Sequence, residues 1–190
     1  MPEILGRAVE SIIASFLLCL FTIPLFIVAL MVKLGSTGPV LHWSSRVGRH
    51  DRLFLMPKFR TMYLSTPDTA THNLIDPNRY VTKIGHFLRK TSLDELPQLY
   101  SIVIGDMSFV GPRPALHSQT DLIEARRKLG ISSLKPGITG WAQINGRDEI
   151  SLEEKIMYDH EYLKKKSFFF DARIILNTFT AVLFSKNISH

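Results

Sequence analysis

Residues Ile12 to Val32 form a run of 21 positions without one charged side chain. As a helix rising 1.5 Å per residue, such a run is roughly 30 Å long, the thickness of the hydrocarbon core of a bilayer. It makes a poor signal peptide. The residues before it offer only Arg7 against Glu3 and Glu10, the apolar stretch is too long, and no small-residue cleavage site follows. Residues 1–34 therefore read as a membrane anchor. Thr22-Ile23-Pro24 interrupts its middle, and a proline there removes an i→i−4 hydrogen bond and kinks the axis. Two forms are open: one kinked span, which membrane helices tolerate, or a helix-break-helix hairpin that enters and leaves on the same face. The sequence leans toward the span, and the flanking charges do not decide. The excess of Lys and Arg after the run places the next domain on the cytoplasmic side.

Residues 35–190 have the length of one domain. Arg7 and Lys33 balance Glu3 and Glu10 in the first 33 residues, so the net charge of +6 belongs to this domain. A basic domain suits anionic partners such as a nucleotide, a lipid phosphate or nucleic acid. Nucleic acid is not expected, because the cations are scattered on loops between prolines rather than gathered in a stripe. The single cysteine, Cys19, excludes a disulfide framework and a Cys-based metal site. Inside the apolar run it reads as a small filler.

The coarse pattern is α+β, mostly helical with a small β element. Gly35 to Pro39 is a turn, Val40 to Trp43 a short strand, and Arg46, Arg49 and Arg52 surround a basic hairpin loop. Phe54 to Met62 reads as extended, and alternation puts Lys58 and Arg60 on one face with Phe59 on the other. Leu64 to Tyr80 is a long polar loop. A helix from about Thr82 to Lys90 delivers Arg89 to the next segment, and a further helix runs from Asp94 to Gly105. In Gly111-Pro112-Arg113-Pro114 two prolines hold one arginine rigidly, which suits bidentate phosphate binding as well as a merely stiff loop. A polar helix spans about His117 to Leu129. Lys135 to Arg147 is glycine-rich but has no known nucleotide spacing, and Trp141 within it reads as core or interface. Ser151-Leu152-Glu153-Glu154 is a structural capping box. The apolar helix from about Ala172 to Phe184 is too short to span. With Lys164 to Lys166 and Phe168 to Phe170 before it, it fits the membrane interface and ordinary core packing equally.

Thr91-Ser92-Leu93-Asp94-Glu95-Leu96-Pro97 places two carboxylates side by side where a helix begins. Either Ser92 is the N-cap with Glu95 completing a capping box, or Asp94 is the cap with Pro97 in the first turn. In both cases the helix dipole favours the ionised form of Asp94, and an ionised carboxylate can act as a nucleophile. Alone, the stretch reads first as a helix cap, since such boxes are common. The surrounding arginines shift the balance. No Ser-His-Asp order, His/Cys cluster or Asp-x-Asp motif is present. Glycoside hydrolysis wants two carboxyls about 5 Å or more apart across a sugar, which adjacent residues do not obviously offer. Phosphoryl chemistry fits better: arginines neutralise phosphate oxygens, one carboxylate attacks phosphorus and a second holds Mg²⁺. A membrane-tethered hydrolase of a nucleotide-sugar or lipid diphosphate is the alternative of the same chemical kind.

Four segments, Lys58 to Met62, Leu88 to Leu99, Gly105 to Pro114 and Pro136 to Arg147, resemble in order the motifs of the bacterial sugar transferases, the monotopic phosphoglycosyl transferases. The resemblance covers nearly the whole chain and matches the minimal-length members. It implies transfer of a sugar-1-phosphate from a UDP-sugar to polyprenyl (undecaprenyl) phosphate with release of UMP, at the cytoplasmic face of the bacterial inner membrane. It implies Asp94 as the nucleophile of a covalent phosphosugar intermediate and Glu95, with Asp94, as the Mg²⁺ site. Arg89 and Arg113 would hold phosphate, joined by Lys58 and Arg60. Gly140, Trp141, Gln143, Asn145 and Arg147 would form the nucleotide-sugar region, and Asp171 would support the site. It also implies a re-entrant anchor lying in membrane lipid. The family breaks that helix near a Ser-Pro pair; here Thr22 and Pro24 stand in that role.

Overall fold

The computed structural model describes residues 2–67, 76–146 and 150–183. Arg147, the middle of the 64–80 loop and Phe184, the expected end of the last helix, lie outside the described residues. The apolar run forms two helices, α1 (Pro2–Leu20) and α2 (Thr22–Gly35), bent by 63°. Pro24 has no N–H to return to the Leu20 carbonyl, which removes one bond at the bend. On either side the ladder continues, with Phe21 N donating to Leu17 O (2.9 Å) and Leu25 N to Phe21 O (2.8 Å). The Thr22 hydroxyl donates to Leu18 O at 3.0 Å, one turn back on α1. Among the described residues, no single helix is long and apolar enough to cross a membrane, but the bent pair passes that test together.

The pair is built into the rest of the molecule. Ala14 of α1 is buried with Met56, Leu99, Ile102 and Met107, and Val28 and Val32 of α2 with Phe59 and Leu88. Ser11 Oγ donates to Val103 O at 3.3 Å. Glu10 accepts from the Ser108 hydroxyl and from Phe109 N. The outward faces keep Ile4, Leu5, Ile12, Phe16, Ile23 and Phe26 exposed. Cys19, expected as filler, is also exposed.

A hairpin follows: β1 (Leu41–Val47) pairs antiparallel with β2 (Leu53–Phe59), and β4 (Ala115–Leu116) adds to the other side of β1. β1 is longer than expected from Val40 to Trp43, because every residue through Val47 has a partner on β2. The polar loop contains a one-turn helix, α3 (Pro77–Tyr80). In α4 (Lys83–Thr91) the Thr82 side chain caps the start and Leu88 points into the core. A 3₁₀ turn (Leu93–Gln98) leads into α5 (Leu99–Ile104), which Gly105 ends at φ 94°. β3 (Ser108–Val110) runs parallel to β5 (Gly137–Thr139). Around them lie α6 (Thr120–Lys128), α7 (Trp141–Ile144), α8 (Leu152–Lys165) and α9 (Phe168–Leu183). A third core cluster joins Val110, Ile131, Leu134, Tyr162 and Ile174. The three phenylalanines of α9 divide between the two expectations. Phe170 lies 5.0 Å from the Trp141 ring, whereas Phe168 and Phe169 are more than four-fifths exposed.

Candidate active site

The carboxylate pair sits on the 3₁₀ turn, packed against β2 and α4. Its local geometry corrects the capping expectation. Ser92 is left-handed (φ 56°) and closes α4, and its side chain makes no cap hydrogen bond. Only its carbonyl serves the turn, accepting from Glu95 N at 3.2 Å. Glu95 instead points at two cations: Lys58 Nζ at 2.7 Å and Arg113 Nη2 at 3.3 Å, both on Oε1. β2 supplies the lysine, since Lys58 lies across the sheet from Phe59, whose ring is in the core. The Gly-Pro-Arg-Pro loop between β3 and β4 supplies the arginine. Arg89, in the last turn of α4, is steered by Thr61, whose hydroxyl accepts from Nε at 3.0 Å.

The two carboxylates differ in charge state. Burial pushes the Asp94 carboxyl up to about 6, the Glu95 charge adds to the rise, and Lys58, Arg89 and Arg113 oppose it. In Glu95 burial also works against the charge, but Lys58 and Arg113 outweigh it and hold the carboxyl well below the usual range. The expectation that a helix dipole lowers Asp94 is thus overturned: the residue is 8 % exposed beside a permanent anion, and a short 3₁₀ turn offers little dipole against that. Near neutral pH the site still holds two anions, with three cations close enough to act on Asp94. No group of three or more His, Cys, Asp or Glu converges on a metal site among the described residues. The donor set nonetheless fits Mg²⁺. Both cations occupy one oxygen of Glu95, and a hard cation is commonly held by one or two carboxylates plus substrate phosphates and water.

Other candidates lie elsewhere. Arg60 is a correction. β2 ends at Phe59, and beyond it the buried Arg60 guanidinium donates to the carbonyls of Ser36 and Thr37 and to the Ser36 hydroxyl, tying down the exit from α2. Gly140 packs on the Gly111 carbonyl, where a Cβ would collide. Trp141 Nε1 donates to Glu161, Gln143 Nε2 to Ile138 O, and Asn145 Nδ2 to Trp141 O, so these three support local structure and none bonds to the carboxylate pair. Asp171 accepts from the Tyr162 hydroxyl at 2.8 Å. Three residues not singled out from the sequence stand behind these side chains: Thr61 accepts from Arg89, and Arg126, paired with Asp159, donates to the Arg113 carbonyl. Thr61 lay within a quoted motif and carried a polar signal. Arg126 and Asp159, 33 positions apart on helices read as ordinary, carried none.

A family model described as bacterial sugar transferase matches residues 1–185. The chain is 41% identical over 188 residues to the uncharacterized sugar transferase EpsL of Bacillus subtilis, covering 97% of this chain and 90% of that protein. It is 40% identical over 188 residues to the UDP-glucose:undecaprenyl-phosphate glucose-1-phosphate transferase of Escherichia coli, covering 93% of this chain but 39% of that protein. It is 36% identical over 197 residues to the exopolysaccharide production protein ExoY of Rhizobium meliloti, covering 95% and 86%. The chain therefore spans most of EpsL and ExoY and about two-fifths of the E. coli enzyme.

Proposed function

The chain belongs to the bacterial sugar transferase family, and from that premise we propose that it moves a sugar-1-phosphate from a UDP-sugar to polyprenyl phosphate with release of UMP, as a first membrane step of glycan assembly. The observation that carries this reading is the meeting of Asp94 and Glu95 with Lys58, Arg89 and Arg113. The E. coli relative, named for this type of transfer with glucose, supports it.

In the proposed mechanism an Asp94 carboxylate oxygen attacks the phosphorus that bears the sugar. The bond from that phosphorus to the bridging oxygen breaks, and UMP leaves with the electron pair. A phosphate oxygen of the polyprenyl acceptor then attacks the same phosphorus and expels Asp94 as a free carboxylate. Splitting one displacement into two lets donor and acceptor use one site in turn. A carboxylate raised to about 6 is more basic than an ordinary aspartate yet mostly ionised at neutral pH. Arg89 and Arg113 hold phosphate oxygens, and Lys58 keeps Glu95 in place. Glu95 together with Asp94 would hold Mg²⁺, which when bound supplies neutralisation of diphosphate charge.

The site's setting is part of the same reading. Arg7 and Ser11, near the start of α1, donate to the carbonyls of Ile104 and Val103. Val32, near the end of α2, packs on Leu88. Both ends of the bent pair thus rest on one body, which supports a hairpin that dips into the inner membrane from its cytoplasmic face rather than a span. Exposed Phe168 and Phe169 beside Lys164 to Lys166 support contact of α9 with the membrane surface.

The test is a panel of UDP-sugars with undecaprenyl phosphate and Mg²⁺, read as UMP release. Release that needs the acceptor beyond one equivalent of enzyme is expected. Continuous release without acceptor would identify a hydrolase, and no release with any UDP-sugar would end the proposal. Intact mass after mixing with UDP-sugar alone should rise by one sugar phosphate.

A further inference from the structure

The loop that carries Arg113 poses a problem of attachment. Pro112 and Pro114 have no N–H, so the backbone around Arg113 can be held mainly through its carbonyls. The carbonyls of Pro112, Arg113 and Pro114 are all engaged. Gly137 N donates to Pro112 O at 3.0 Å, and Tyr162 Oη, whose proton goes to Asp171, lies 3.3 Å from Val110 O. Arg126 Nη1 donates to Arg113 O at 2.9 Å, and Arg46 Nη1 to Pro114 O at 3.2 Å. The bond to Arg113 itself comes from a buried ion pair: Arg126 Nε and Nη2 reach Asp159 Oδ2 at 3.0 and 2.6 Å. Arg126 is 8 % exposed and Asp159 1 %. Asp159 and Tyr162 stand three residues apart on the same face of α8, so one helix flanks the start of the loop and holds its arginine through Arg126.

A buried ion pair is a poor device for stability alone, because removing two charges from water costs about as much as their attraction returns. It is a good device for fixing direction, since the guanidinium fork allows one geometry. We infer that Arg126 and Asp159 are positioning residues for the transfer reaction: through the Arg113 carbonyl they set where the Arg113 guanidinium meets Glu95 and the substrate phosphate. The inference rests on the reading of Arg113 as a phosphate ligand. Neither residue bonds to the carboxylate pair, and neither belongs to the four motifs.

The experiment is a double-mutant cycle on the full chain in detergent. Arg126→Met with Asp159→Leu replaces the pair by apolar groups of similar size, which buried sites accept without large loss of stability. In the native background it should lower kcat/KM for the UDP-sugar by about 10- to 100-fold, the scale of a misplaced binding group. In an Arg113→Ala background the same replacement should cost less than about threefold, since the side chain it would position is gone. Amide exchange at Arg113 and Ala115 should quicken in the replaced protein while the melting temperature holds. Equal losses in the two backgrounds, or no loss in the native one, would overturn the inference. If the native chain turns over no UDP-sugar, the transferase reading fails by itself. Exchange then decides the clamp: faster exchange upholds it and unchanged exchange removes it. Should the apolar pair fail to fold, Asp159→Asn is carried through the same cycle with the same criteria.

Discussion

Ser92-Leu93-Asp94-Glu95 and Ser151-Leu152-Glu153-Glu154 have the same form, a serine followed three residues later by glutamate. At Ser151 the pattern becomes a capping box. Its hydroxyl accepts from Glu154 N at 3.1 Å, and the Glu154 carboxylate accepts from Ser151 N at 2.9 Å. At Ser92 neither side-chain bond forms, and Glu95 turns to Lys58 and Arg113. The difference lies in what surrounds each. Ser151 and Glu154 are exposed, so the nearest donors are their own backbone. Glu95 faces two cations from distant parts of the chain, and charge-assisted bonds outcompete a neutral N–H. A local motif is thus an offer that the tertiary structure accepts or declines, and the declined one is where the proposed chemistry lies.

Four substitutions test that contrast, and the largest effect is expected at the pair itself. Asp94→Asn should lower turnover by about 10³-fold or more and abolish the mass increase with UDP-sugar, while the fold is kept. Turnover near the native rate would remove Asp94 as nucleophile. Glu95→Gln should lower turnover by roughly 10²-fold and weaken its Mg²⁺ dependence. It should also move the acid limb of the pH–rate profile. In the native protein that limb should fall below about pH 6, where Asp94 takes up its proton. Loss of the Glu95 charge removes a cause of the rise and frees Lys58 and Arg113 to act on Asp94, so the limb should shift to lower pH. A shift to higher pH would contradict the electrostatics described above. For stability the sign is opposite to that of an ordinary ion-paired aspartate. The raised Asp94 contributes stability below about pH 4, and this is lost as pH rises through 6; Glu95→Gln should flatten that slope in thermal unfolding.

The two serines are expected to give small effects of opposite sign. Ser151→Ala should cost about 1 kcal/mol of stability by loss of a working cap, with turnover unchanged. Ser92→Gly should be neutral or stabilising by roughly 0.5 kcal/mol, because glycine takes the left-handed conformation without strain and no cap is lost. Melting curves of both variants check this, and a Ser92→Gly loss as large as that of Ser151→Ala would restore the capping box at Ser92.

Much of the fold was legible in the sequence because it is set by residues close along the chain. Pro24 marks the bend of the apolar helix pair, Gly105 and Gly130 end α5 and α6, and Thr82 starts α4. The carboxylate pair and the arginines Arg89 and Arg113 stood out by composition and by rigid proline neighbours. Arg60 misled because alternation holds only as far as the strand does, and β2 ends one residue earlier.

By its sequence alone this chain determined an uncharged run broken by proline, a basic domain and two adjacent carboxylates among arginines. All are consequences of covalent order, short-range backbone preference and charge count. Only the tertiary structure decided that Asp94 titrates near 6 while Glu95 stays ionised, and that α1 is tied to the strand leading to Arg113. It also decided that Arg126 and Asp159, from separate helices, hold that arginine's backbone. Those outcomes depend on burial and on distances between groups far apart in the chain, and neither is defined until the chain has folded.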